Sequence, residues 1–182
     1  VPGVCSLSAD LHKYGYCAKG ASTIFYRSEA LRDHMIFDQK DWPAGRMVTP
    51  TLAGTRPGGA ISSAWAVMHY LGIEGYRQKQ QSVTRARARI EEGVAELGFE
   101  VLGAPKLGIM AFSHPELDIF ALYKRLFERG WVTSLCTQPK ALHLMLSPFH
   151  ETVVAQYLTD LTWAVAQVRA GVTDAVTEVR YS

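Results

Sequence analysis

The chain has 182 residues, 48% hydrophobic and 20% charged, with a formal net charge of +2. That is the make-up of a folded globular protein with a real core, long enough for one ordinary domain or one and a half small ones. So small a charge gives no argument for nucleic acid or an anionic membrane as partner, and no apolar run approaches the roughly 20 residues that cross a bilayer.

Val1 to Ala9 is an apolar, β-branched run broken by Gly and Ser, short enough for a buried strand. It carries neither an initiator Met nor the basic region of a signal peptide, so the chain is expected to begin partway through a longer protein. The following DLHKYGYCAKG mixes polar and aromatic residues with two glycines and reads as a loop. Ala21 to Arg27 reads as a second strand. Residues 37–60 hold Pro43, Pro50 and Pro57 with Gly45, Gly54, Gly58 and Gly59, and are expected to form one long loop of the kind that carries function.

Helical spacing takes over at Ile61, Trp65, Met68 and Leu71, with Gly72 as a stop. A longer helix follows, its apolar stripe at Tyr76, Val83, Ile90, Val94 and Leu97 and its wet face at RQKQ and RARAR. FEVLG and LGIMAFS read as strands, LDIFALYKRLFERG as a helix closed by Gly130, and WVTSLC and ALHLMLS as two further strands. The last helix is expected from Glu151 to Ala170 with Val154, Tyr157, Leu158, Leu161 and Val168 inward. The tail TDAVTEVRYS is polar and expected to be loose. The order divides the chain into residues 1–60, the end of a larger α/β domain, 61–98, connecting helices, and 99–182, a small α+β domain with helices on one face of antiparallel strands. Two strands make no stable sheet alone, and their near-continuous apolar character suggests burial on both faces of a larger one.

Cys5, Cys17 and Cys136 form no CxxC pair and leave one thiol over in any pairing. That points to a reducing compartment, the cytoplasm. His34, His69, His114, His143 and His150 have no metal-ligand spacing, so no metal site is expected. Trp42, Trp65, Trp131 and Trp163 read as core or interface packing. Asp10 reads as a loop residue held by backbone hydrogen bonds, with general acid or pyridinium partner as the alternatives.

A lysine becomes a Schiff-base nucleophile only when its amine can be neutral near pH 7, which takes desolvation or neighbouring cations. Lys13 sits where an apolar strand gives way to a loop, with His12 and Lys19 as nearby positive charge; both would also suit a phosphate. A His-Lys pair alone is too common to identify a site. The wider pattern is more specific. SLSADLHKYGYCAKGAS, then DW-x-AG-x(4)-PTLAGTRPGG, then AWAVMHYLGIEGY and, further on, LSPFH at 146–150, resemble the sphingosine-1-phosphate lyases. These are close relatives of the group II decarboxylases that use pyridoxal 5′-phosphate (PLP).

That resemblance implies the C-terminal part of a PLP-dependent transferase of the aspartate aminotransferase-like, fold-type I class. Residues 1–60 would be the end of the PLP-binding large domain. It implies Lys13 as the Schiff-base lysine, His12 beside the cofactor phosphate and Lys19 facing the substrate's own phosphate. Thr55 stands where the family has a Ser that reaches the cofactor phosphate of the neighbouring subunit, and Arg56 is a second candidate for that region. A homodimer with its active site at the subunit interface follows. Met47 departs from the family's tyrosine, which bears on substrate identity. The implied reaction is retro-aldol cleavage of a phosphorylated sphingoid base to a fatty aldehyde and phosphoethanolamine. The ring-stacking residue and pyridine-nitrogen carboxylate would lie upstream of Val1, so the chain alone is expected to be inactive. Amino-acid decarboxylation, and a non-catalytic truncated homologue that pairs with a full-length partner, are the alternatives.

Overall fold

A computed structural model describes residues 1–172 and 174–176. Most of the tail TDAVTEVRYS lies outside the described residues. The chain forms two compact units, Val1–Ile73 and Glu74–Ser182.

In the first unit β1 (Ser6–Asp10) pairs antiparallel with β2 (Ser22–Tyr26), from Ser6 opposite Tyr26 to Asp10 opposite Ser22. Both strands are shorter than their apolar runs. Within this chain apolar side chains stay exposed on both faces of the hairpin: Leu7, Ile24 and Phe25 are 60%, 47% and 56% exposed. The hairpin is two-stranded, so neither face has a layer to pack against.

A short helix α1 (Glu29–Asp33) follows, begun by Ser28, whose hydroxyl accepts from the Leu31 N–H. The long loop expected over 37–60 is a further correction. It contains a hairpin, β3 (Phe37–Gln39) with β4 (Met47–Thr49), and its last residues already belong to helix. The guanidinium of Arg46 grips both carboxylate oxygens of Asp38, at 2.7 and 2.5 Å. Such a fork-to-fork pair fixes the hairpin where three-residue strands would not.

Helix α2 (Gly58–Glu96) is broken at Gly72 (φ 56°, ψ −176°), a conformation that favours glycine. The stop expected there is therefore a break rather than a gap. In its first part the buried residues are Ala60 and Ala64, whereas Ile61, Trp65 and Met68 are exposed.

The second unit holds the core. Its sheet runs β5 (Glu100–Val101), β6 (Ile109–Ser113), β8 (Lys140–Met145), β7 (Ser134–Thr137) in spatial order, all antiparallel. Met110, Phe112, Leu142 and Leu144 are buried while Ile109 and Met145 are exposed, so one face is covered. Covering it are Val83, Ala86, Ile90 and Val94 of α2, Ile119, Leu122 and Leu126 of α3 (Ile119–Glu128), and Val154, Tyr157, Leu161 and Val168 of α4 (His150–Arg169). These are the stripes that helical spacing identifies.

Polar ties close the second unit. Asp118 caps α3 by accepting from Phe120 N–H at 2.9 Å. Asp160, only 5% exposed, accepts from the indole of Trp131 and the amide of Gln156 at 2.9 and 3.0 Å. Arg85 and the Ser82 hydroxyl both bond the carboxylate of Glu151. They hold its pKa down at about 2, with the Arg85 hydrogen bond the largest cause. The wet face expected for RARAR is half right: Arg85 and Arg89 are exposed, but Arg87 is mostly covered and pairs with Glu91.

Candidate active site

β1 ends at Asp10, and the next residues fold into a nest of tight turns. Lys13 N–H donates to the Asp10 carbonyl at 3.1 Å, Tyr16 N–H to the Lys13 carbonyl at 2.9 Å and Cys17 N–H to the Leu11 carbonyl at 3.0 Å. The loop has no room for a side chain at Gly15, where a Cβ would lie 2.3 Å from the Leu11 carbonyl oxygen. Lys13 is thus held by backbone geometry on a compact loop rather than on a flexible one.

Lys13 is not desolvated. Its side chain is 69% exposed and its Nζ lies 2.9 Å from the carboxylate of Asp10. Asp10 does not do what was expected of it. Its carboxylate engages side chains instead of backbone, accepting from the Ser22 hydroxyl at 2.5 Å as well as pairing with Lys13. The Ser22 hydrogen bond and then Lys13 hold its pKa below the usual carboxylate range. Sequence reasoning missed Ser22; counting the hairpin register from the loop outward would have found it opposite Asp10.

His12 is half-buried, and its Nδ1 is shielded from solvent without a hydrogen-bond partner. A buried polar atom left without a partner is costly, so this nitrogen is poised for one. Lys19 is exposed, but its neighbours are anchored. Ala18 N–H donates to Ser63 Oγ of α2 at 3.3 Å, and Gly20 lies over Ala60 and Pro57. That brings the Lys19 segment beside the segment that carries Thr55 and Arg56. Both of these are exposed, and Arg56 Nε makes only a long contact, 3.5 Å, to the Gly54 carbonyl. Met47 stands exposed on β4.

A primary amine on a fixed loop, an imidazole nitrogen without a hydrogen-bond partner, two exposed cations and a hydroxyl suit an aldehyde that carries phosphate. Among the described residues no group of His, Cys, Asp or Glu could hold a metal ion. No described helix is long and apolar enough to cross a membrane.

Comparison with known proteins gives this arrangement a lineage. The sphingosine-1-phosphate lyase of Arabidopsis thaliana is 40% identical over 171 residues, which are 93% of this chain and 31% of that protein. The solved structure of sphingosine-1-phosphate lyase from Burkholderia pseudomallei superposes with a TM-score of 0.87 at 34% identity, covering 93% of this chain and 39% of that one. The chain is a homologue of the C-terminal part of the sphingosine-1-phosphate lyases. It spans about a third of the length of the curated relatives it matches (31% of the Arabidopsis protein).

The lyase homology does not stand apart from decarboxylases. A probable L-tyrosine/L-aspartate decarboxylase of Methanothermobacter thermautotrophicus is 32% identical over 146 residues, covering 80% of this chain and 40% of that protein. Glutamate decarboxylase of Lactobacillus brevis superposes at a TM-score of 0.72 with 17% identity, over 96% of this chain and 42% of that one. At that identity the likeness is one of fold: the expected fold-type I class, C-terminal part, holds. No protein-family model matches the chain.

Proposed function

We propose that this chain supplies the Schiff-base lysine, Lys13, of a PLP-dependent carbon–carbon lyase that cleaves a phosphorylated sphingoid base to a fatty aldehyde and phosphoethanolamine. The observation that carries this reading is 40% identity with a sphingosine-1-phosphate lyase across 93% of the chain, joined to a loop that holds Lys13 and His12 in place.

PLP, when bound, supplies an electron sink for the pair released from the Cα–Cβ bond. Lys13 would hold the cofactor covalently through its amine and give it up to the substrate's amine. His12 would present its partnerless ring nitrogen to the cofactor phosphate. Lys19 would grip the phosphate of the substrate, so that binding energy far from the scissile bond orients that bond. Thr55 and Arg56 would serve the cofactor phosphate of a neighbouring subunit, which makes the proposed assembly a homodimer with its site at the interface. The free thiols of Cys5, Cys17 and Cys136 support a cytoplasmic setting.

The chain alone is proposed to hold PLP weakly and to be inactive. An amine 69% exposed lacks the desolvation that makes a lysine nucleophilic near neutral pH. Mixing the polypeptide with PLP, recording visible absorbance, trapping with borohydride and mapping the modified peptide tests both points. Weak, substoichiometric trapping is expected. Tight, stoichiometric trapping at Lys13 would sink the proposed inactivity of the isolated chain.

The identity with the Methanothermobacter decarboxylase favours a second reading, loss of CO2 from an amino acid by the same cofactor. Lys19 opposes it, since a substrate without a phosphate has little use for a cation there. Carbon dioxide release by the chain reassembled with the rest of its fold would decide for decarboxylation. A third reading, a non-catalytic homologue that binds a full-length partner, draws on the exposed Leu7, Ile24 and Phe25 of the first hairpin. A clean monomer in size-exclusion chromatography counts against it.

A further inference from the structure

We propose that Asp10 is a positioning residue that parks the Lys13 amine as an ammonium, so that carbon–nitrogen bond formation at Lys13 must first break this ion pair. Three observations converge on the carboxylate. Asp10 is the last residue of β1, directly opposite Ser22 on β2, and the Ser22 hydroxyl donates to its Oδ1 at 2.5 Å. That bond fixes one oxygen and leaves the other, Oδ2, directed at the loop. The turn closed by Lys13 N–H on the Asp10 carbonyl folds the lysine back over its own i−3 residue, and Nζ meets Oδ2 at 2.9 Å. The two oxygens are thus divided between two tasks: one anchors the carboxylate and the other holds the amine. The charged side chains acting on this carboxylate are Lys13 and His12.

The consequence is kinetic. Imine formation converts R–NH3⁺ and O=CH–R′ into R–NH⁺=CH–R′ and water. The carbon–nitrogen double bond forms and the carbonyl double bond breaks. Oxygen leaves with two of the ammonium protons, and the charge stays on nitrogen. Attack itself needs the neutral amine, and an adjacent carboxylate disfavours that form. Asp10 therefore slows the bare loop's reaction with stray aldehydes. A bound cofactor phosphate beside His12 and the rest of the fold would have to draw Lys13 away. This last consequence rests on the reading of Lys13 as the Schiff-base lysine; the parking of the amine does not.

The test uses the whole 182-residue chain without PLP. Limiting formaldehyde and cyanoborohydride methylate accessible neutral amines, and peptide mass mapping gives the rate at each lysine. In Asp10→Asn the Lys13 rate should rise about two- to five-fold relative to Lys19, the range expected of an exposed ion pair. Ser22→Ala should give a smaller rise, and Asp10→Glu should restore the slow rate. A Lys13 rate unchanged in Asp10→Asn overturns the proposal. An equal rise at Lys19 also overturns it, because it reports an opened hairpin, as does an Asp10→Glu rate equal to that of Asp10→Asn. Because PLP is absent throughout, a failure of Lys13 to take PLP would sink the Schiff-base reading and leave this result untouched.

Discussion

Between Ser6 and Tyr26 the chain makes an antiparallel hairpin whose Leu7, Ile24 and Phe25 face solvent, whereas the strands from Glu100 to Met145 bury Met110, Phe112 and Leu142 almost completely. Among the described residues of the first unit the buried apolar side chains are Ala21, Ala60 and Ala64, the smallest available. That unit keeps its shape through backbone turns, the Arg46–Asp38 fork and the small-residue contact of Gly20 with Ala60. The second unit keeps its shape through apolar burial, the dominant favourable term in folding. The residues of chemical interest lie in the unit with almost no core. The burial that stabilises the fold and the residues proposed for the chemistry lie in different parts of one chain.

That contrast can be broken most forcefully at Phe112, fully buried and edge-on to Phe99 with ring centroids 5.3 Å apart. Phe112→Ala should cost about 3–5 kcal/mol in urea unfolding of the second unit. A loss under about 1 kcal/mol would mean the core is not what holds that unit.

Next come two changes of similar size, one in each unit. Asp160→Ala leaves the Trp131 indole without its acceptor and should cost about 1–3 kcal/mol, read by tryptophan fluorescence during denaturation. Gly15→Ala forces a Cβ against the Leu11 carbonyl oxygen and should cost about 1–3 kcal/mol locally. Hydrogen exchange should report it as lost protection at the Tyr16 and Cys17 amides with the second unit's midpoint unmoved. Protection retained in Gly15→Ala would show the loop to be softer than its turns imply.

A smaller effect is expected from acid. The pKa of Glu151 falls from 4.5 to about 2 in the folded protein. A carboxylate with a depressed folded pKa contributes stability that is present above its unfolded pKa and lost as pH falls toward the folded one. The second unit should therefore weaken between about pH 4.5 and about pH 2, and Glu151→Gln should flatten that slope. An unchanged slope in the variant removes the Arg85–Glu151 tie from the account. Smallest of all, Ile24→Ala should shift unfolding by no more than about 0.5 kcal/mol, since its side chain has no layer to leave.

The second unit was the more legible of the two. Val83, Ile90 and Val94, like Val154, Tyr157, Leu161 and Val168, recur at helical spacing because each faces one core, and burial is what writes periodicity into a sequence. In the first unit no core exists to impose a period. Strands of three residues such as Phe37–Gln39 and Met47–Thr49 are too short to alternate, so the β3–β4 hairpin read as loop among its prolines and glycines. Helix α1 was missed as well, although Ser28 was a readable cap. Lys13 and His12 were singled out by resemblance, not by spacing. The Asp10–Ser22–Lys13 arrangement was not legible, because it depends on cross-strand register and on a turn that only the folded loop makes.

Gly20 meets Ala60 at 3.2 Å from where a Cβ would be, and the peptide N–H one residue before Lys19 hangs from Ser63. This seam behaves as a gauge with less than a methyl group of tolerance. A bulkier residue at position 20 or 60 would displace Lys19 while touching no phosphate. If Lys19 holds the substrate phosphate as proposed, such a variant would present at the bench as a substrate-recognition defect, and a search confined to residues in contact with ligand would look in the wrong place for its origin.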